Sequence, residues 1–198
     1  MRLLFSTMLL LAFFWGSLKA GQPDTLLPAG GPDTLSRGQI FWGKVDSIFE
    51  APFSDTTLTF LQDMAQRHCP GDAQCLYDTY FGFMYRLERR FELGWAIVVA
   101  GEMARVARKA ENPGNEARAY RHLSRYHAAL GNERLAMLNL DRAEELFEQA
   151  GDFGAVTRAR FIRLENSLSY REMEEVLPQM EALLSESWGR GDTTTGEY

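Results

Sequence analysis

The chain has 198 residues and a formal net charge of −6, long enough for one domain plus a leader. The acidic balance excludes a broad basic face for nucleic acid. β-Branched residues are scattered, and Ala, Leu, Glu and Arg dominate the second half, so an all-α fold is predicted.

Met1 to Ala20 places one Arg before an apolar run from Leu3 to Trp15, followed by small residues and Ala20. That is the layout of a secretory signal peptide, with cleavage expected after Ala20. An uncleaved membrane anchor is the alternative, but the run falls short of the roughly 20 apolar residues that a spanning helix needs. Residues 21–35 are rich in Pro, Gly and Asp, with PDTL at both Pro23 and Pro32, and read as a flexible linker. A helical repeat domain is expected over residues 36–186. Its hairpins fall at about 36–68, 73–110, 117–150 and 154–186, with a structureless tail at 187–198.

From Ser36 to Glu50, Phe41, Val45, Ile48 and Phe49 form one apolar face. Ala51-Pro52 ends that helix, since a residue before Pro avoids the helical region. A second helix starts at Ser54 or Asp55, turns Leu58, Leu61, Met64 and Ala65 inward, and stops near His68. The turn HCPGDAQC follows, with Cys69 and Cys75 at its ends. In an exported protein the two can pair in a disulfide. A disulfide or two free thiols fit better than a metal site with His68, because a third and a fourth ligand are missing nearby.

The next hairpin takes Ala73 to Glu92 and Trp95 to Ala110, and Asn112-Pro113-Gly114-Asn115 breaks the chain after it. In the central stretch, Tyr120, Leu123, Tyr126, His127 and Leu130 recur at helical steps. Gly131 sits where that helix must stop, and Leu135, Ala136, Leu138, Ala143, Leu146 and Phe147 line a second helix.

This stretch resembles a tetratricopeptide repeat, a helix-turn-helix unit of about 34 residues. With Ala117 as its first position, Tyr120 takes the aromatic position and Leu123 and Ser124 the next two. Gly131 takes the turn, Ala136 and Ala143 the small positions and Leu140 the bulky one. His127 and Glu148 depart from the usual Tyr and Pro. Shifted by 36 residues, the preceding hairpin gives Met84, Leu87 and Phe91 against Tyr120, Leu123 and His127, and Ala100 and Ala107 against Ala136 and Ala143. After Asp152 a looser unit follows, with Ala155, Ala159, Ile162 and Asn166, then Met173, Val176, Leu177, Met180, Leu183 and Leu184. Pro178 in that last stripe should kink the helix or mark a shifted start.

Catalytic motifs are missing: the sequence has no HExxH, Walker loop, nucleophile elbow or Glu-x-x-His pair. His122 and His127 are five apart, about 140° around a helix, and cannot share a metal. The expectation is therefore no enzyme, no cofactor and no metal. What the resemblance implies is a right-handed α-solenoid of helical hairpins that binds a protein or peptide. Its first helices would line a groove holding Tyr120, Arg121, Arg125 and Arg158, suited to an acidic peptide; Arg118 and Arg163 share those helices. A plain solvated face, with the arginines paired to Glu116 and Glu165, is the other reading. No nucleic acid is expected, and membrane contact only through the leader or a segment beyond this sequence.

The leader, linker and degenerate repeats resemble the exported N-terminal region of bacterial sensor histidine kinases. That implies a periplasmic or extracellular scaffold, sensory in role, continuing into a longer signal-transduction protein. A complete secreted adaptor that assembles envelope proteins is the alternative, and a third reading, a helical hydrolase or metal enzyme, is opposed by the missing ligand sets.

Overall fold

The computed structural model describes residues 36–167 and 173–190. The leader and linker readings, and most of the tail, lie outside these residues. Eight helices occupy the described residues: α1 (Arg37–Ile48), α2 (Asp55–His68), α3 (Ala73–Arg89), α4 (Leu93–Lys109), α5 (Pro113–Ala129), α6 (Glu133–Ala150), α7 (Phe153–Ser167) and α8 (Met173–Gly189). No described residue lies in a strand, so the fold is all-α. Contacts divide the chain at Ile40, inside α1, and the packing described below concerns the unit from Phe41 onward.

From α3 the helices start at residues 73, 93, 113, 133, 153 and 173, so each occupies a 20-residue period. The punctuation that sets this period is local. A left-handed residue stands at Gly71, Phe91, Glu111, Gly131 and Gly151, with φ between 54° and 74°. At the last four, the turn closes in one way. The N–H of residues 92, 112, 132 and 152 donates to the carbonyl five residues back, and the preceding N–H donates three back. That is the Schellman closure, which satisfies carbonyls a helix end would otherwise leave orphaned.

Every second helix also begins with a side-chain cap. Asp72, Asn112 and Asp152 accept from the backbone N–H of Cys75, Asn115 and Ala155, at 2.9, 3.0 and 3.0 Å. Caps of this kind are each worth about 1 kcal/mol. Ser54 caps α2 in the same way.

The buried positions follow a 40-residue period, two helices long. In α3 the buried Tyr77, Thr79, Phe83 and Met84 match Ala117, Ala119, Leu123 and Ser124 of α5. In α4 the buried Ala96, Ala100, Met103, Val106 and Ala107 match Ala136, Leu140, Ala143, Leu146 and Phe147 of α6. The close helix–helix contacts run between chain neighbours, from α2–α3 through α7–α8. Tyr80, Phe83, Met84, Leu87, Met103, Tyr126, Leu140 and Phe147 are all but inaccessible to solvent. Burying an apolar side chain of this size contributes about 1.5–3 kcal/mol, so the core weight lies in α3 to α6.

Several expectations are corrected here. The repeat runs at 40 residues, not at the 36-residue shift and not at the tetratricopeptide length of about 34. A slip of four residues turns a helix by only about 40°, so the wrong register still aligned the same faces. Phe91, paired with His127 under that shift, does not pack: it lies in the turn after α3 and is 87% exposed. Asn112-Pro113 does not break the chain before a unit starting at Ala117. Asn112 caps α5 and Pro113 is its first residue, where a missing N–H costs nothing. The tail does not begin at 187, because Ser187 is buried within α8 and that helix reaches Gly189. Pro178 lies inside α8, five residues past its start.

Candidate interaction face on α3 and α5

α3 and α5, which flank α4 in the chain, are tied to each other at both ends by side chains. Near their N-termini, the Tyr77 hydroxyl donates to the Asn115 carbonyl at 3.0 Å and the Asn115 amide donates to Gln74 Oε1 at 2.8 Å. Near their C-termini, Glu88 Oε2 accepts from Arg125 Nη2 at 2.6 Å and from the Tyr126 hydroxyl at 3.0 Å. Two N-terminal ties and two C-terminal ties make the pair parallel. Burial pushes the phenols of Tyr77 and Tyr126 up to about 12, so both stay protonated donors.

Between the ties, Phe81 meets the His122 ring edge to face, with centroids 5.8 Å apart. His122 also stacks near Tyr126, and its Nδ1 lies 3.4 Å from Arg125 Nη2. Burial, reinforced by the charges of Arg125 and Arg121, pushes the imidazole down to about 3. The ring is therefore neutral at physiological pH and too weak a base for general base catalysis there. It packs between Phe81 of α3 and Tyr126 of α5 and accepts from Arg125.

The outward side of this pair carries Phe81 and Tyr85, at 44% and 42% exposure, beside exposed Arg118 and half-buried Arg121. Arg118 reaches back to Asn115 Oδ1. Arg125 also sits over the Tyr126 ring, 5.1 Å from its centroid. Acidic groups here are Asp78 and the engaged Glu88. In a chain of net charge −6, this is a local surplus of guanidinium beside exposed aromatic rings. Such a face can bind carboxylates and cover apolar side chains, and it holds no nucleophile paired with a base.

The residues singled out in the sequence fall in different places. Arg121 and Arg125 share this face. Tyr120 does not reach it: its ring packs against both hydrophobic clusters and its hydroxyl accepts from Arg108 Nη2 at 2.6 Å. Arg158 sits on α7, half-buried, at the position equivalent to Arg118, and its Nε has no hydrogen-bond partner among the described residues. Glu116 pairs with Arg108 of α4, not with the face arginines. Arg163 pairs with Asp141 of α6 at 2.6 Å. Met84, Leu87, Ala100, Ala107, Leu123, Ala136, Leu140 and Ala143 are all buried, and Gly131 lies in its turn.

Phe81, Tyr85, His122 and Glu88 were missed. The signal was available: Asp78, Phe81 and Tyr85 recur at helical steps on the side opposite Tyr80 and Leu87, and become Arg118, Arg121 and Arg125 forty residues later. The 36-residue shift hid that correspondence.

Cys69 and Cys75 form a disulfide that closes the turn between α2 and α3. No helix among the described residues is long and apolar enough to cross a membrane. Models of known protein families, curated proteins and solved structures give no match to the chain.

Proposed function

We propose that this chain is a non-catalytic protein-interaction module, a tetratricopeptide-like stack of helical hairpins wound as a right-handed α-solenoid. Its working surface is the outward side of α3 and α5, and its partner is an acidic peptide or protein segment. One observation carries this reading: first helices of consecutive hairpins lie parallel and present Phe81, Tyr85, Arg118, Arg121 and Arg125 together. Aromatic and Arg side chains are the residue types that most often dominate binding energy at interfaces.

The leader-like Met1 to Ala20 supports a place in the cell envelope, as a sensory or scaffolding part of a signal-transduction protein. The test is a double variant, Phe81→Ser with Arg121→Gln, checked for unchanged circular dichroism and used to capture partners from envelope extract. Wild type is expected to retain a partner that the variant loses by at least about tenfold, more weakly held as salt rises. An identical partner set for the two proteins contradicts the reading.

A further inference from the structure

A second site lies away from that face, at the turn between α2 and α3, and its evidence is independent of the interaction reading. His68 is the last residue of α2, Cys69 caps it and Cys75 lies in the first turn of α3. One nitrogen of His68 and the two Sγ atoms all lie within 4.8 Å of one another. Cys69 is buried at 4% exposure, while Cys75 and His68 are half-buried, so the cluster is sheltered yet reachable.

The turn that gathers these donors is held by contacts other than the disulfide. Cys69 N–H donates to the Ala65 carbonyl at 2.9 Å, and Asp72 Oδ1 accepts from Cys75 N–H at 2.9 Å. Gly71 supplies the left-handed step between them. Cys69 Sγ lies 3.4 Å from Thr79 Oγ1, and the His68 ring stacks on Phe41 with centroids 4.0 Å apart. These contacts hold the turn on both sides of the bridge.

We propose that the reduced form of this turn is a metal site in which Cys69, Cys75 and His68 bind zinc, so that the disulfide and the cation exclude each other. Two thiolates and an imidazole match the preferences of this borderline-soft d10 ion. Tetrahedral coordination needs donor–donor separations of roughly 3.5–3.8 Å, so the two Sγ atoms must move apart from their bonded distance once the bridge opens, with the His68 nitrogen already within 4.8 Å of both. Three protein ligands leave the fourth position open to water or a ligand from outside.

The chemistry balances with a dithiol as reductant. The dithiol gives two electrons and two protons to the Cys69–Cys75 bridge, whose S–S bond breaks as the reductant closes its own disulfide. The cation then displaces the two thiol protons, so binding weakens as pH falls.

The experiment uses the whole chain, reduced with a dithiol and moved without oxygen into reductant-free buffer, with cobalt(II) as spectroscopic probe and zinc as competitor. Reduced wild type is expected to show thiolate-to-cobalt charge transfer and tetrahedral ligand-field bands at one equivalent, bleached by zinc. The oxidised chain and Cys75→Ser should show neither. Loss of even an outer-shell partner costs about tenfold or more in metal affinity, so His68→Gln should bind at least about tenfold more weakly. Circular dichroism identifies any variant that fails to fold, and the oxidised wild type serves as a folded control that needs no substitution. A reduced chain without these bands, bands of equal strength from the oxidised chain, or unchanged affinity in His68→Gln would each overturn the proposal.

Discussion

Phe91 is the residue at which local conformation and side-chain chemistry disagree most. It holds a left-handed φ of 58° in a position that Gly fills at 71, 131 and 151. A left-handed residue with a Cβ costs roughly 1–2 kcal/mol, and this ring, 87% exposed, recovers little by burial. Gly would add unfolded-state entropy, worth about 0.4–1 kcal/mol in the other direction. Phe91→Gly should therefore raise stability by about 0.5–1 kcal/mol in denaturant titration. A loss of several kcal/mol, as for a buried Phe, would mean the ring is packed.

Gly82 is the opposite case: a Cβ built there would lie 2.3 Å from the Trp42 ring. The helix-propensity gain of Gly→Ala, about 1 kcal/mol, is set against displacing a ring that also packs on Phe41 and Phe83 and lies under Arg86. The clash should win, and Gly82→Ala should melt at a lower temperature than wild type.

His122 gives a pH signature. Its folded pKa, about 3, lies below the ordinary value of 6.5, so below pH 6.5 the unfolded chain takes up a proton that the folded chain refuses. The contribution is full above pH 6.5 and is lost as pH falls toward 3. Between pH 7 and pH 5 this one group should cost about 2 kcal/mol. His122→Gln should flatten that part of the stability profile, and an unchanged profile would mean the imidazole is already protonated or solvated.

At the scale of the helix, small residues decide how closely neighbours approach. Ala136 and Ala143 of α6 are buried at 2% and 0% exposure. Leu at either position should overpack the contact and cost roughly 1–3 kcal/mol, read as a lower thermal midpoint. These alanines, like the stop at Gly131, could be seen in the sequence because size and φ are demanded locally. The start of α2 was legible for the same reason, with Ser54 in front of an apolar stripe, whereas the caps at Asp72, Asn112 and Asp152 were not recognised as helix starts.

The repeat length was not legible. Met84 against Tyr120 and Leu87 against Leu123 look like good matches. In the structure Phe83 stands against Leu123, and Met84 against Ser124. Apolar pattern alone cannot separate shifts that differ by one helical turn. The capping series at 72, 112 and 152 does separate them, because each turn has one defined place. The face of α3 and α5 was half legible: Arg121 and Arg125 were visible as cations, but the inward turn of Tyr120 depends on Arg108, a residue of the preceding helix.

Across the molecule, packing between chain neighbours makes stability a local property, as expected where each helix leans mainly on the next. The buried aromatic and aliphatic mass lies in α3 to α6, whereas α8 buries only Val176 and Ser187 among its described residues. Met173, Leu177 and Trp188 of α8 remain exposed. Amide exchange should thus be slowest in α3 to α6 and fastest in α8, with α8 opening well below the global unfolding free energy. Equal protection in α8 and α4 would contradict that gradient.

The central claim, that the parallel α3–α5 pair is where a partner docks, is tested most directly by site-specific photocrosslinking. A photoreactive phenylalanine replaces Phe81 in one protein and exposed Leu138 of α6 in another, and each is irradiated in envelope extract. The account predicts a discrete protein adduct from position 81, suppressed by an excess of unlabelled chain, and none from position 138. No adduct from position 81, or the same adduct from both positions, would contradict it.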